Sequence, residues 1–173
     1  MLKNLACALC SAVIGLVAAA PGIGNGSQTT AQKAKGEKTA AETLNPGDLK
    51  WGEAPPVFPK GAQVAVLHGN PFAKGAFALR LKLPDGYKIA PHWHTQDENL
   101  TVLSGAFVLH MGDSMEAEGH EIAAGGYHFL PGKMHHAALA RGETVVQVHG
   151  SGPFDMHYLN PADDPSKTPE AAR

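Results

Sequence analysis

The segment Gly86–Gly105 constrains the fold and the chemistry of this chain more than any other part of it. It contains two histidines separated by one residue, His92 and His94, and a carboxylate, Glu98, four residues later. Side chains at positions i and i+2 of a β-strand point to the same face, so both imidazoles can reach one point in space. The segment therefore predicts a strand that carries the histidines, a turn at residues 95–97, and a second strand that starts at Glu98.

Histidine and glutamate are ligands of first-row transition metals, so this segment is a candidate metal site. Ten histidines in 173 residues is a high count. The two cysteines, Cys7 and Cys10, both lie near the start of the chain, which leaves imidazole and carboxylate as the ligands of any site further along. Taken alone, the His-x-His pattern favours surface residues of a strand beside a turn.

The first residues have the pattern of a secretory signal. Lys3 precedes an apolar stretch that ends in three alanines and is followed by Pro21 and Gly22. The stretch is short for a helix that spans a membrane. We therefore predict a signal peptide, secretion or export to a periplasm, and a mature protein without cysteine.

The rest of the chain divides by composition. A polar stretch of small residues predicts a flexible linker, and a tail rich in proline and charge predicts disorder. The formal net charge of −2 argues against a nucleic-acid partner and against a membrane surface after the signal is removed. The predicted segments are a signal peptide over 1–22, a linker over 23–46, a β-barrel over 47–161 and a disordered tail over 162–173.

Short strands separated by turn signals predict an all-β fold. In the clearest of them, Phe77, Leu79, Leu81 and Leu83 alternate with polar or small residues and a Pro-Asp-Gly turn follows. The chain has 20 glycines and 13 prolines, which suits a sandwich or barrel. The predicted strands are 63–67, 77–83, 99–103, 107–111, 127–130, 144–148 and 154–159.

The spacing of the glycines, histidines and glutamate in the opening segment resembles the first motif of the cupin superfamily at every marked position. A segment resembling the second cupin motif follows, with Gly125, Pro131 and His136 at the expected intervals. Two positions depart from that motif, since Lys133 stands where it has glycine and Ala140 where it has asparagine. The chain thus resembles a small, exported, single-domain RmlC-like cupin of the type-2 kind.

This resemblance implies a small antiparallel jelly-roll β-barrel with one divalent transition metal in its mouth, which could be Fe, Mn, Zn, Ni or Cu. His135 competes with its neighbour for the last ligand position, and the family spacing selects His136. The implied ligands are His92, His94, Glu98 and His136.

Two classes of function are compatible with such a site. One is a mononuclear metalloenzyme of the oxygenase or isomerase type that acts on a small organic molecule, with Glu98 as a candidate base. The other is a non-catalytic periplasmic protein that binds a metal or a metal–ligand complex. Cupins cover both classes, so the fold alone does not decide between them. Open edge strands would be compatible with a homodimer.

Several further side chains carry expectations. Trp93 lies between two proposed ligands and should point away from them. Tyr127 and Phe129 are expected in the core, with the pocket wall as the alternative, and His120 in a polar turn. Gln147 and His149 alternate with apolar valines, and line the cavity only if those valines form the outer face.

Overall fold

The structure is a computed structural model that describes residues 41–116 and 118–167. The predicted signal peptide, the predicted linker up to residue 40 and the end of the predicted tail from residue 168 lie outside the described residues. Within the described ranges, no helix has the length and apolarity needed to cross a membrane.

The described residues form antiparallel β-strands, with two short 3-10 helices near the ends of this region at Pro46–Asp48 and Pro161–Asp163. This confirms the predicted all-β class. The strands are β1 Gly52–Glu53, β2 Gln63–His68, β3 Gly75–Leu83, β4 Lys88–Trp93, β5 Glu98–Met111, β6 His120–Ala123, β7 Tyr127–Leu130, β8 His136–Gly152 and β9 His157–Tyr158.

Two long strands, β5 and β8, pair along most of their length and belong to both layers of the barrel. The C-terminal half of β8 pairs with β3, and the N-terminal half of β5 pairs with β7. The N-terminal half of β8 pairs with β4, and the C-terminal half of β5 pairs with β6. The β5–β8 register shifts twice between Val102 and Ala106, and such bulges bend a strand. The shared strands thus curl the sheet into the predicted antiparallel barrel.

The alternation in β3 places an apolar face toward the interior. Phe77, Leu79, Leu81 and Leu83 are all buried, and each contributes about 1.5–3 kcal/mol by leaving water. The intervening residues face outward, where Arg80 Nε donates a hydrogen bond of 3.2 Å to Gln147.

Three expectations from the sequence are wrong in detail. Tyr127 and Phe129 are not core residues, because they lie on the outer face of β7 and are 55% and 48% exposed. His120 does not lie in a turn, since it begins β6 opposite Leu109. The last predicted strand shortens to His157–Tyr158, because the residues before it line a cavity described below instead of pairing.

The long strands were predicted only in pieces. The sequence separates strands 99–103 and 107–111, whereas the structure joins them as β5. Ser104 and Gly105 are typical of a turn between two strands, whereas in the structure they form a bulge within one continuous strand.

The two glycines that bracket the opening segment have the same backbone conformation in different surroundings. Both Gly86 and Gly105 have φ of +72°. A Cβ at Gly105 would lie 2.5 Å from the Glu143 carbonyl oxygen and 2.5 Å from the Thr144 hydroxyl. At Gly86 it would meet nothing within 4 Å. Of these two glycines, Gly105 is therefore the one that combines a left-handed backbone with close approach of the neighbouring strand.

Replacement of these glycines separates the two effects. Gly86→Ala is expected to lower the free energy of unfolding by about 1–2 kcal/mol, from the left-handed backbone alone. Gly105→Ala is expected to lower it by about 3 kcal/mol or more, because β8 must also move. Denaturant unfolding of both variants measures the difference, and equal losses would contradict the packing argument.

Lys133 adopts a left-handed conformation at the position where the second cupin motif has glycine. Its φ is +66°, and its backbone N–H donates a hydrogen bond of 2.7 Å to the carbonyl of His94. A side chain pays about 1–2 kcal/mol for this conformation. The hydrogen bond to His94, which joins this loop to the segment that carries a proposed ligand, offsets part of the strain.

Lys133→Gly is expected to raise the free energy of unfolding by about 0.5–1 kcal/mol, since the relief of strain exceeds the entropy that glycine loses on folding. Lys133→Ala keeps the Cβ and is the control, with no comparable gain expected. Thermal or denaturant unfolding compares the two variants, and an equal gain in both would show that the side chain beyond Cβ, not the backbone, is responsible.

Candidate metal centre

The structure brings four proposed ligands together between the two layers of the barrel. His92 lies near the end of β4 and His94 just after it, while Glu98 begins β5 and His136 begins β8. His92 and His136 are cross-strand partners in the β4–β8 ladder. All four residues are buried, with at most 7% of their surface exposed.

Three of these side chains converge on one point, and the fourth, Glu98, lies beside two of them. One ring nitrogen from each of His92, His94 and His136 lies within 4.8 Å of the others, so these three residues could hold a metal ion. The Glu98 Oε2 atom is 3.6 Å from the Nε2 of His94 and 3.6 Å from the Nε2 of His136. We call these four residues the histidine cluster.

Each histidine is oriented by a main-chain carbonyl. His92 Nδ1 donates to the Ala90 carbonyl at 2.7 Å, and His136 Nδ1 donates to the Met134 carbonyl at 3.1 Å. His94 Nδ1 donates to the carbonyl of Asp155. A proton held on Nδ1 leaves Nε2 as a free lone pair, which is the arrangement of a metal-ligating histidine.

Burial sets the protonation of the cluster. It lowers the pKa of His92 well below the usual value, with the nearby His136 and His94 adding to the effect. It lowers the pKa of His94 to about 4, and it also lowers the pKa of His136. The same burial raises the pKa of the Glu98 carboxyl. The imidazoles are therefore neutral near pH 7, as a metal requires.

The residues next to the proposed ligands in the sequence direct their side chains away from the histidine cluster. The His135 side chain is 40% exposed and pairs with Asp113 at 2.7 Å. Asp97 lies in the turn before β5 and accepts a hydrogen bond from the backbone N–H of Gly132 at 2.7 Å. Trp93 faces away from the cluster and stacks on His157, with ring centroids 4.1 Å apart.

Asp155 is a part of the site that the sequence did not reveal. Its carboxylate accepts hydrogen bonds from the backbone N–H and the hydroxyl of Thr95, both at 2.7 Å, and from His157 at 2.9 Å. Burial raises the pKa of this carboxyl, but these hydrogen bonds outweigh it and hold the pKa below its usual value. Asp155 is 61 residues from His94 along the chain, and no local pattern links the two.

A cavity of about 370 Å³ adjoins the histidine cluster. The cluster and Asp155 lie on its wall, and Phe154 stacks on the His94 ring at a centroid distance of 4.3 Å. The other lining residues are apolar, and they include Val146 and Val148. Gln147 and His149 therefore face away from the cavity, which is the arrangement that the sequence favoured.

This donor set fits a divalent transition metal. Three imidazole nitrogens and a carboxylate are a mixed N/O set, and the cavity beside them leaves room for a further ligand. Ala140, where the cupin motif has asparagine, is buried in β8 and pairs with Phe107. The departure at that position therefore removes no donor from the cluster.

The fold is similar to that of several solved structures. The polyketide cyclase RemF from Streptomyces resistomycificus has a TM-score of 0.62 at 17% identity, over 73% of this chain and 91% of that one. A candidate acetylacetone dioxygenase from Methylibium petroleiphilum PM1 has 0.57 at 19%, over 73% and 86%. An RmlC-like cupin from Ralstonia eutropha JMP134 has 0.54 at 18%, over 72% and 75%. Identities this low establish the fold alone.

Among curated proteins, none matches the chain in sequence. A family model described as "Domain of unknown function (DUF4437)" matches residues 28–157, which is most of the chain. The similarity to an RmlC-like cupin, together with the barrel, confirms the predicted cupin fold. The chain therefore belongs to the DUF4437 family and has the cupin fold.

Proposed function

We propose that this protein is an exported, metal-dependent enzyme that acts on a small organic molecule, in a reaction of the oxygenase or isomerase type. In this proposal His92, His94, Glu98 and His136 hold one divalent transition metal, which is Fe, Mn, Zn, Ni or Cu. A metal bound there would supply Lewis acidity or, with a redox-active ion, activation of dioxygen.

One observation carries the proposal. Three buried histidines present their Nε2 atoms to one point, and each Nδ1 is held by a main-chain carbonyl. The Nε2 atoms of His94 and His136 each lie 3.6 Å from Oε2 of Glu98. A neutral Nε2 atom is an acceptor only, so nitrogen lone pairs that converge beside a carboxylate form an arrangement that supports a bound cation.

The cavity favours an enzyme over a carrier of bare metal. A protein that only buffers metal has no need for an apolar space of about 370 Å³ beside the ion. Such a space suits an organic molecule that is held by its apolar surface and oriented by a few polar groups. Two neighbours in fold are named as a polyketide cyclase and a candidate acetylacetone dioxygenase, which are activities on small organic molecules.

Glu98 is the residue best placed to move a proton. Its carboxyl is buried against the cluster, and burial raises its pKa toward the range that suits a general base. It lies on the cavity wall, within reach of a bound molecule. We propose that Glu98 serves as a ligand and can accept a proton from the substrate.

Export is supported by the signal pattern over residues 1–22. Cells that produce the full chain are expected to hold the protein, shortened at its N-terminus, outside the cytoplasm. Mass spectrometry of the fractionated protein measures both the compartment and the new N-terminus.

Adjacent histidines provide a matched test of the metal site. His136→Ala is expected to weaken metal binding by more than the roughly 10–100-fold that loss of an outer partner causes, because a ligand is lost. His135→Ala removes an exposed imidazole next to it and should leave the bound metal unchanged. Elemental analysis and metal titration of both variants measure the difference, and similar metal contents would refute the ligand set.

The fate of a bound organic molecule separates the enzyme from the alternative, a non-catalytic periplasmic protein that binds a metal or a metal–ligand complex. With an Fe(II)- or Mn(II)-loaded protein and an enolisable ligand, we expect dioxygen uptake or conversion of the ligand to an isomer. Glu98→Gln should slow this conversion more than it weakens ligand binding. Mass spectrometry that recovers every bound candidate unchanged, with no dioxygen consumed, would favour the carrier.

A further inference from the structure

We infer that the cavity binds an uncharged, largely apolar organic molecule whose single polar end faces the histidine cluster. This inference rests on the proposed function and gives its substrate a chemical class. It is carried by the identity of the residues that form the cavity wall.

The wall of the cavity offers no positive charge from the protein. Among the described residues, those that line the cavity include no lysine and no arginine. The two acidic lining residues, Glu98 and Asp155, would repel a carboxylate or phosphate group. An anionic group in the apolar part of the cavity would thus lose its hydration without gaining a partner, which is strongly unfavourable.

The alternation of the strands explains where the basic residues go. On β3, Arg80 and Lys82 face away from the cavity, while Leu79 and Leu81 line it. Arg80 is engaged by Gln147, and the Lys82 ammonium lies 4.6 Å from the centroid of the Trp51 ring. These cations cannot turn inward without reversing the face of the strand.

The wall also lacks hydrogen-bonding side chains of the kind that bind sugars. In the part of the chain that the structure describes, the cavity is lined by no serine, threonine, asparagine, glutamine or tyrosine. The Asp155 carboxylate already accepts hydrogen bonds from Thr95 and His157. A polyol would leave several hydroxyl groups buried without partners, at a cost of about 1–3 kcal/mol each.

The polar groups of the cavity are concentrated at the histidine cluster, and the rest of the wall is apolar. A ligand that matches this distribution has its oxygen donors at one end and a hydrocarbon body at the other. Phe72 is 66% exposed and also lines the cavity, so it lies where the cavity meets solvent. It is placed to contact the hydrocarbon body of a bound molecule where the cavity meets solvent.

Isosteric probes test charge and apolar surface separately. The chain purified from its producing cells is loaded with redox-inert Zn(II) and titrated calorimetrically with 1-phenyl-1,3-butanedione. The second probe, 3-oxo-3-phenylpropanoate, has nearly the same shape but replaces a methyl group by a charged oxygen. The third, 2,4-pentanedione, keeps both donors and lacks the phenyl ring. We expect the first probe to bind roughly tenfold or more tighter than each of the others, a difference of about 1.4 kcal/mol.

A pair of exposed phenylalanines locates the binding. Phe72→Ala should weaken binding of 1-phenyl-1,3-butanedione several-fold more than that of 2,4-pentanedione. Phe129→Ala removes another exposed ring, on the outer face of β7, and should change neither affinity. An equal effect of both variants would place the ligand outside this cavity.

The outcomes distinguish this inference from the proposed function. If the protein binds Zn(II) and the charged probe binds as tightly as the uncharged one, the substrate class is wrong and the metal site stands. If the protein binds no metal, the metal site fails, and titration of the metal-free protein still tests the preference for the uncharged probe. Absence of binding by all three probes would overturn the inference.

Discussion

The pairing of β5 with β8 is the constraint on which the rest of the structure depends. Each strand contributes one half to each layer of the barrel, so the bend at Ser104–Gly105 decides which residues face one another across the interior. Because of that bend, Glu98 at the start of β5 approaches His136 at the start of β8. In the strand pairing itself, His136 lies opposite Met111, at the other end of β5. The close contact of Gly105 with Thr144 is where the bend is fixed. The segment that carries three of the proposed ligands thus ends in a glycine that shapes the barrel.

The main chain, more than the side chains, orients the proposed ligands. Ala90 and Met134 each lie two residues before the histidine that they hold, so the geometry follows from the local strand conformation. His94 differs, since its carbonyl partner belongs to Asp155. The Asp155 carboxylate in turn accepts hydrogen bonds from Thr95, next to His94. Asp155 therefore contacts this segment through both its carbonyl and its side chain. Local backbone fixes two ligands, and a contact between distant segments fixes the third.

The parts of the fold that could be predicted are those with a local signal. The alternation in β3 and the spacing of the glycines and histidines depend on residues within one strand or one turn. The exposure of Tyr127 and Phe129 could not be predicted, because aromatic residues at alternate positions are typical of either face of a sheet. The strand at His120–Ala123 was missed because Ile122 is the one buried residue among its four, so it has no apolar alternation. Its own residues are polar enough to resemble a turn.

The proposed ligands, like the strands, could be predicted only where residues close together in the sequence carry the signal. The His92, His94 and Glu98 pattern is local, and the distance to His136 follows the resemblance to a cupin. Asp155 and the apolar wall depend on which residues the barrel brings together. Val64, Leu81 and Val148 line one cavity from three strands, and nothing in any one strand indicates whether such residues fill a core or leave a space.

The apolar wall of the cavity determines the protonation of the histidine cluster. Burial keeps the imidazoles neutral and raises the pKa of Glu98, because a charge without a partner is costly in an apolar space. A divalent cation at the proposed site would reverse the effect on Glu98, because a nearby positive charge favours an ionised carboxylate, and it would also favour neutral imidazoles. The surrounding apolar wall then strengthens the electrostatic attraction between cation and ligands. The same wall excludes other charged partners, so a molecule that enters must bring oxygen donors without net charge. In this way the apolar lining would serve both to retain the metal and to select the substrate.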